Sequence, residues 1–294
     1  MSMLTIFDPG VNGVKGTVYE IAPLAKMYGI AGISVPGSLL DDPKEALRAA
    51  DFIKDLGLSW GLLPTPADFY SESVSDEAFS EAIEIFKKRA ELGAKMGVRF
   101  CYNHVWNGSN LRKADRQFEW VLERIRRVFE VADANGIRYG MEFLGPVPLQ
   151  KSFRYPFFNS LSGILALADE VNPRCGFLFD IYHWYCGSNQ RMDEAYLASR
   201  HVDRMVGFHI NDAVPGRTRE EQEDMERRMP LSTGIINAVL PYRLFSEAGY
   251  DGPMFNEPIF PWSKNPEGRT LEETVATVAE NYEKLRLASL ASEG

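Results

Sequence analysis

Residues 114–143 read ADRQFEWVLERIRRVFEVADANGIRYGMEF. Over 114–134, Phe118, Val121, Leu122, Ile125, Val128, Phe129 and Ala132 recur at helical spacing, and Asn135-Gly136 supplies a stop. Residues 137–143 follow as a short apolar run ending on Glu142 and Phe143. A strand that is apolar on both faces belongs to a sheet covered on both sides, as parallel sheets are.

The same unit recurs in both directions. Strands are predicted at 4–7, 30–35, 58–63, 98–104, 137–143, 176–181, 204–210 and 253–256. Helices are predicted between and after them at 18–28, 41–56, 75–96, 114–134, 161–171, 193–201, 235–248 and 271–288. Eight strand–helix alternations without a linker specify an α/β fold, a single (β/α)8 TIM barrel over 1–294, rather than an open doubly wound sheet. No GxGxxG follows the first strand and no GxxxxGK[ST] occurs, which argues against dinucleotide and P-loop sites. The long irregular stretches 144–160 and 212–234 follow strands five and seven, on the face where barrels carry their chemistry. The second is rich in arginine: Arg217, Arg219, Arg227 and Arg228.

Composition narrows the partners. The 294 residues are 45% apolar and 25% charged, ordinary for a chain that buries a large core. The 41 acidic against 32 basic residues give a formal charge of −9, which argues against nucleic-acid binding. Three cysteines without close spacing do not form a disulfide framework. No stretch approaches a membrane span, and residues 1–10 lack the pattern of a secretory signal, so a soluble, cytoplasmic protein is expected.

A polar residue at the C-terminal end of a barrel strand reads as chemistry. Four successive strands end this way, on Glu142, Asp180, His209 and Glu257. Three carboxylates pointing into one mouth repel one another unless protons or a cation intervene. A divalent metal held by all four side chains resolves the repulsion. Three oxygens and one nitrogen suit manganese or magnesium better than a structural zinc, with cobalt and zinc as alternatives. His104 ends the fourth strand and can face substrate. Trp106, Trp184 and Trp262 each follow a strand, where an indole face suits a sugar ring.

The segments Gly140-Met141-Glu142, Asp180-Ile181-Tyr182-His183, Gly207-Phe208-His209-Ile210-Asn211-Asp212 and Gly249-Tyr250-Asp251-Gly252 leading to Glu257 resemble the xylose isomerase-like barrels. Within them, the chain is similar to the sugar isomerase/epimerase family of ketose 3-epimerases, inosose isomerases and dehydratases, and hydroxypyruvate isomerase. The resemblance spans nearly the whole chain. It implies a metal quartet of Glu142, Asp180, His209 and Glu257, a substrate-contacting His183, and an arginine after the metal histidine that Arg217 would match. Ketose 3-epimerases tend to carry a further glutamate six residues beyond the first metal glutamate, where this chain has Pro148. The resemblance also implies a homodimer or homotetramer.

A metal at such a mouth favours loss of a proton beside a carbonyl, giving an enediolate. Glu142 and Glu257, from different sides of the mouth, are the expected proton carriers. Proton return to the opposite face gives epimerisation, and return to the neighbouring carbon gives isomerisation. Loss of a β-substituent instead makes a lyase, a dehydratase or glycoside eliminase acting on a keto-inositol or 3-keto-glycoside. A non-catalytic carbohydrate-binding barrel is the alternative from another class.

Overall fold

The computed structural model describes residues 3–65 and 72–291; residues 1–2, 66–71 and 292–294 lie outside the described residues. Eleven strands occur among the described residues. They are β1 (Leu4–Phe7), β2 (Gly32–Ile33), β3 (Ser59–Trp60), β4 (Leu62–Pro64), β5 (Phe100–Val105), β6 (Gly108–Ser109), β7 (Arg138–Phe143), β8 (Tyr155–Pro156), β9 (Gly176–Asp180), β10 (Met205–Ile210) and β11 (Pro253–Asn256). Nine form one parallel sheet in the order β3-β2-β1-β11-β10-β9-β7-β5-β4, and β6 pairs with β8 in a small antiparallel ribbon.

The two end strands of the large sheet are one piece of chain. β3 pairs with β2 and β4 pairs with β5, with only Gly61 between them. The predicted third strand therefore bends at Gly61 and closes the sheet into a (β/α)8 barrel. Long helices such as Asp76–Met96, Ala114–Ala134 and Leu271–Ala291 cover the outside. No helix among the described residues is long and apolar enough to cross a membrane.

Alternation along each strand separates two cores. Tyr139, Met141 and Phe143 of β7 and Phe177 and Phe179 of β9 face the helix layer. Ile6, Leu62, Phe100, Leu178, Val206 and Phe255 fill the barrel interior. The interior is narrow. A Cβ on Gly140 would lie 2.5 Å from Cγ2 of Val206 and 2.8 Å from the Phe177 nitrogen, so only glycine fits beneath Glu142. Above that layer, the same inward rows end on His104, Glu142, Asp180, His209 and Glu257, with a register shift on β10 between Met205 and Gly207.

Several predicted boundaries need correction. The sixth strand stops at Asp180, because a helix, Ile181–Ser188, begins at the next residue with the Asp180 carboxylate as its N-cap. The stretch 144–160 contains the short helix Val147–Lys151. The helix predicted over 235–248 spans only Val239–Glu247. Its expected first turn is held as loop by Asp212, whose Oδ1 accepts from the backbone N–H of Ile236 at 3.0 Å. Asp212 Oδ2 accepts from Thr233 and Gly234 at 2.8 and 2.9 Å. The Asp212 backbone also bridges to Arg228 in both directions, at 2.8 and 2.9 Å. One buried carboxylate thus ties both ends of the long loop to the end of β10.

Asp212→Ala removes the acceptor for these loop N–H groups. Hydrogen bonds to charged acceptors contribute about 1.5–3 kcal/mol each, so a loss of at least roughly 3 kcal/mol is expected in urea unfolding. Limited proteolysis should cut first within 212–238. An unchanged unfolding midpoint would show that the loop is held by something else.

Candidate metal centre

Asp180 is both the end of β9 and the start of a helix, and this fixes its carboxylate. Oδ1 accepts from the Tyr182 backbone N–H at 2.6 Å and from Asn211 Nδ2 at 3.0 Å. Oδ2 is left facing the barrel axis. Glu142 enters from β7 and His209 from β10. His209 Nδ1 lies 3.2 Å from Glu142 Oε1, 3.4 Å from Glu257 Oε2 and 3.8 Å from Asp180 Oδ2. One ligand atom each from Glu142, Asp180 and His209 falls within a span of 4.8 Å. All three residues are buried.

This donor set fits a divalent cation. Both oxygens of Glu142 and Nδ1 of His209 are buried without a properly oriented hydrogen bond among the described residues. Buried polar atoms are almost always satisfied, so Glu142 Oε1 and His209 Nδ1, side by side at 3.2 Å, mark a place for a ligand, while Glu142 Oε2 faces His104. Two carboxylates and one imidazole are donors shared by manganese, zinc and cobalt sites.

Glu257 stands just beyond β11 and is outside that three-residue group. Its Oε2 pairs with Nη1 of Arg227, which also donates to Asp180 Oδ2 at 2.7 Å. Arg227 is buried and its other contacts are equally specific. Nη2 reaches Asp224 Oδ1 at 3.1 Å and lies 3.2 Å from His183 Nε2. Its guanidinium also lies over the Tyr182 ring, 4.9 Å from the centroid. Arg217 occupies a different position, paired with Glu226 at 2.7 Å outside the carboxylate cluster. The arginine in contact with the site is therefore Arg227. It belongs to the arginine-rich loop noted in the sequence, but its spacing from His209 gave no means of choosing it.

The two histidines near Glu142 differ in role. His183 lies in the helix that starts at Asp180, and its Nδ1 accepts from the Gly145 backbone N–H at 3.3 Å. That contact requires close approach: a Cβ on Gly145 would lie 2.1 Å from the His183 carbonyl oxygen. Both ring nitrogens therefore face donors, Nδ1 the Gly145 N–H and Nε2 the Arg227 guanidinium at 3.2 Å, so His183 is wedged between the loop after β7 and Arg227. His104 is half-exposed on β5, directly across the ladder from Glu142, with Nε2 at 2.9 Å from Glu142 Oε2. It lines a cavity of about 300 Å³ with Asp8, Tyr102, His209 and Glu257.

Charge coupling runs through the cluster. Burial alone would raise the Glu142 carboxyl, but His104 and His209 hold it well below its usual range. Burial acts likewise on Asp180, and Arg227 and His183 overcome it. Burial would lower His209, yet Glu257 and Glu142 push it far above its ordinary value. His104 is raised for the same reason, burial being outweighed by Glu142. Arg227 stays charged despite burial because Glu257 and Asp180 face it.

The tryptophans separate. Trp184 is buried in the helix layer against Phe179, with its N–H donating to the Arg191 carbonyl at 2.9 Å; its expected place at the mouth is corrected. Trp262 donates to Asn12 Oδ1 at 3.0 Å, and Arg269 covers its ring at 3.4 Å from the centroid, so that face is taken. Trp106 lines a second cavity beside the first.

A family model described as the xylose isomerase-like TIM barrel matches residues 22–282, and the chain belongs to that family. It is similar to a xylose isomerase domain protein from Alicyclobacillus acidocaldarius, at 25% identity and TM-score 0.82 over 100% of both chains. It is also similar to the IolI protein with a bound zinc atom, at 16% identity and TM-score 0.77, over 96% of this chain and 98% of that one. A D-psicose 3-epimerase with D-tagatose from Clostridium cellulolyticum H10 matches at 13% identity and TM-score 0.70, over 96% and 98%. At these lower identities the last two share the fold.

The shifts set an acid limit on the metal-free protein. Glu142 and Asp180 are lowered from ordinary values of 4.5 and 3.8, so their stabilisation is present above those values. It is lost as pH falls below them toward the folded values. Urea midpoints should therefore drop steeply below about pH 4.5, and less steeply in Glu142→Gln, which has one fewer such group. Parallel profiles for the two proteins would contradict the coupling.

Proposed function

We propose that this member of the xylose isomerase-like barrels is a divalent-metal-dependent isomerase or epimerase acting on a ketose or keto-polyol. The observation that carries the reading is the buried convergence of Glu142, Asp180 and His209, with Glu257 at its edge, beneath a cavity of one-ring size. The zinc in IolI and the D-tagatose in the psicose epimerase, both on the same fold, support it.

A bound divalent cation supplies Lewis acidity toward a carbonyl oxygen and a neighbouring hydroxyl. The chain's own residues then divide the remaining work. Glu142 and Glu257 come from β7 and from beyond β11, and each places an oxygen within 3.4 Å of His209 Nδ1. They flank the same point from different strands, as a proton donor and acceptor pair on two faces of a carbon would. The five N–H groups of Arg227 are turned to Asp180, Glu257, Asp224 and His183, so this guanidinium holds the side chains of the site in place, and His183 beside it is the residue that would meet substrate. His104 and Tyr102 line the side of the cavity toward β5 and limit how a ring can lie. A carbohydrate-binding barrel without catalysis has no use for buried ionised carboxylates, which are costly to bury. Manganese is the expected ion, because the set is richer in oxygen than in nitrogen and holds no sulfur.

The manganese-loaded protein, incubated in deuterated water with free ketoses and keto-inositols, should wash deuterium into the carbon beside the carbonyl. Glu142→Gln and Glu257→Gln should each slow this by about 10²–10⁴-fold, the usual cost of losing a general base. His209→Ala should lower the metal content measured by elemental analysis. Full exchange in both glutamine variants would place the proton chemistry elsewhere, and undiminished metal in His209→Ala would remove the ligand assignment.

A further inference from the structure

A second cavity of about 800 Å³ opens beside the first, between the end of β5, the helix Val147–Lys151 and the loop after β10. Two residues join it to the site. Asp224 lines it while its Oδ1 sits 3.1 Å from Arg227 Nη2 and 4.0 Å from His183 Nε2. Trp106 lines it two residues beyond His104, which is 2.9 Å from Glu142. A substrate reacting over Glu142 and His209 in the first cavity would reach this space along β5, past His104 toward Trp106.

The walls specify what would fit. Trp106, Leu149 and Met225 give an apolar surface, and Met225 is 61% exposed, which no packing requirement of the barrel explains. An indole ring suits the C–H face of a pyranose or an aromatic ring. Around this surface stand Glu221, Glu223, Asp224 and Glu226. Against four carboxylates the cavity wall offers one cation, Arg217, already paired with Glu226 at 2.7 Å. Carboxylates accept hydrogen bonds from hydroxyl groups and repel phosphate or carboxylate groups.

We infer that the second cavity binds a second, uncharged ring, so that the substrate class is a neutral two-ring glycoside with one keto ring rather than a sugar phosphate. The inference rests on the proposed function in placing the keto ring over Glu142 and His209. It also gives the elimination outcome a leaving group with a place to sit.

The test compares D-fructose, D-fructose 6-phosphate and the ketose disaccharides isomaltulose and turanose on the manganese-loaded protein by calorimetry. At least one disaccharide should bind about tenfold more tightly than fructose, the worth of one stacked ring face, and the phosphate no more tightly than fructose. Trp106→Ala should bring the disaccharide-to-fructose ratio close to one. Because Trp106 also packs edge-on to Phe153, Met225→Asp at an exposed position provides a second variant with the same expected loss of ratio. A tighter phosphate, a ratio that survives both substitutions, or no preference for either disaccharide overturns the inference. Deuterium exchange on the same samples keeps the two readings apart. A disaccharide preference without exchange leaves the second-ring site and removes the catalytic reading, and exchange without the preference does the reverse.

Discussion

Four carboxylates, Glu142, Asp180, Asp224 and Glu257, face one buried guanidinium, that of Arg227. A carboxylate taken out of water without compensation costs several kcal/mol, so this imbalance constrains everything around it. Asp180 is the best satisfied, with two donors on Oδ1 and Arg227 on Oδ2. Glu142 is the least, its oxygens in ion-pair range of His104 and His209 but without aligned hydrogen bonds. The remaining negative charge can be balanced by protons on those imidazoles or by a divalent cation. The first is written in their raised pKa values, and the second in the convergence of their ligand atoms.

The barrel makes this arrangement affordable by placing it at the end of well-packed rows. Below the polar layer lie Leu178, Phe255 and Val206, with Gly140 leaving room for the last of these. On β9 and just beyond β11 the ionisable groups stand two residues further along, as a period of two requires, and on β10 the register shift between Met205 and Gly207 makes the step from Val206 to His209 three. Asp212 then acts at a distance. By holding 233–236 and bridging to Arg228, it brings the neighbouring Arg227 over the barrel mouth.

The strand-end residues were readable because alternation is a property of the local chain. An apolar strand that ends on Glu142 or His209 announces both its direction and its polar tip. The helix Ile181–Ser188 was not readable, since its sequence is apolar all round and continues the apolar run of β9. Its N-cap is also a site residue, Asp180, so the capping signal and the ligand signal coincide. Arg227 was visible only as one of several arginines. Its selection depends on contacts between β10, the loop's own Asp212 and Glu257, which no spacing encodes. The indole of Trp184 was misplaced for a similar reason. Its partner, the Arg191 carbonyl, is set by tertiary structure rather than by position after a strand.

The central claim is that Glu142, Asp180 and His209 hold one divalent cation through a single imidazole. Pulsed electron paramagnetic resonance of the manganese-loaded protein, labelled with nitrogen-15 at histidine, addresses it directly. The account predicts coupling from one imidazole nitrogen, abolished in His209→Ala and retained in His104→Ala. Coupling from two imidazoles, or a signal unchanged in His209→Ala, would contradict it.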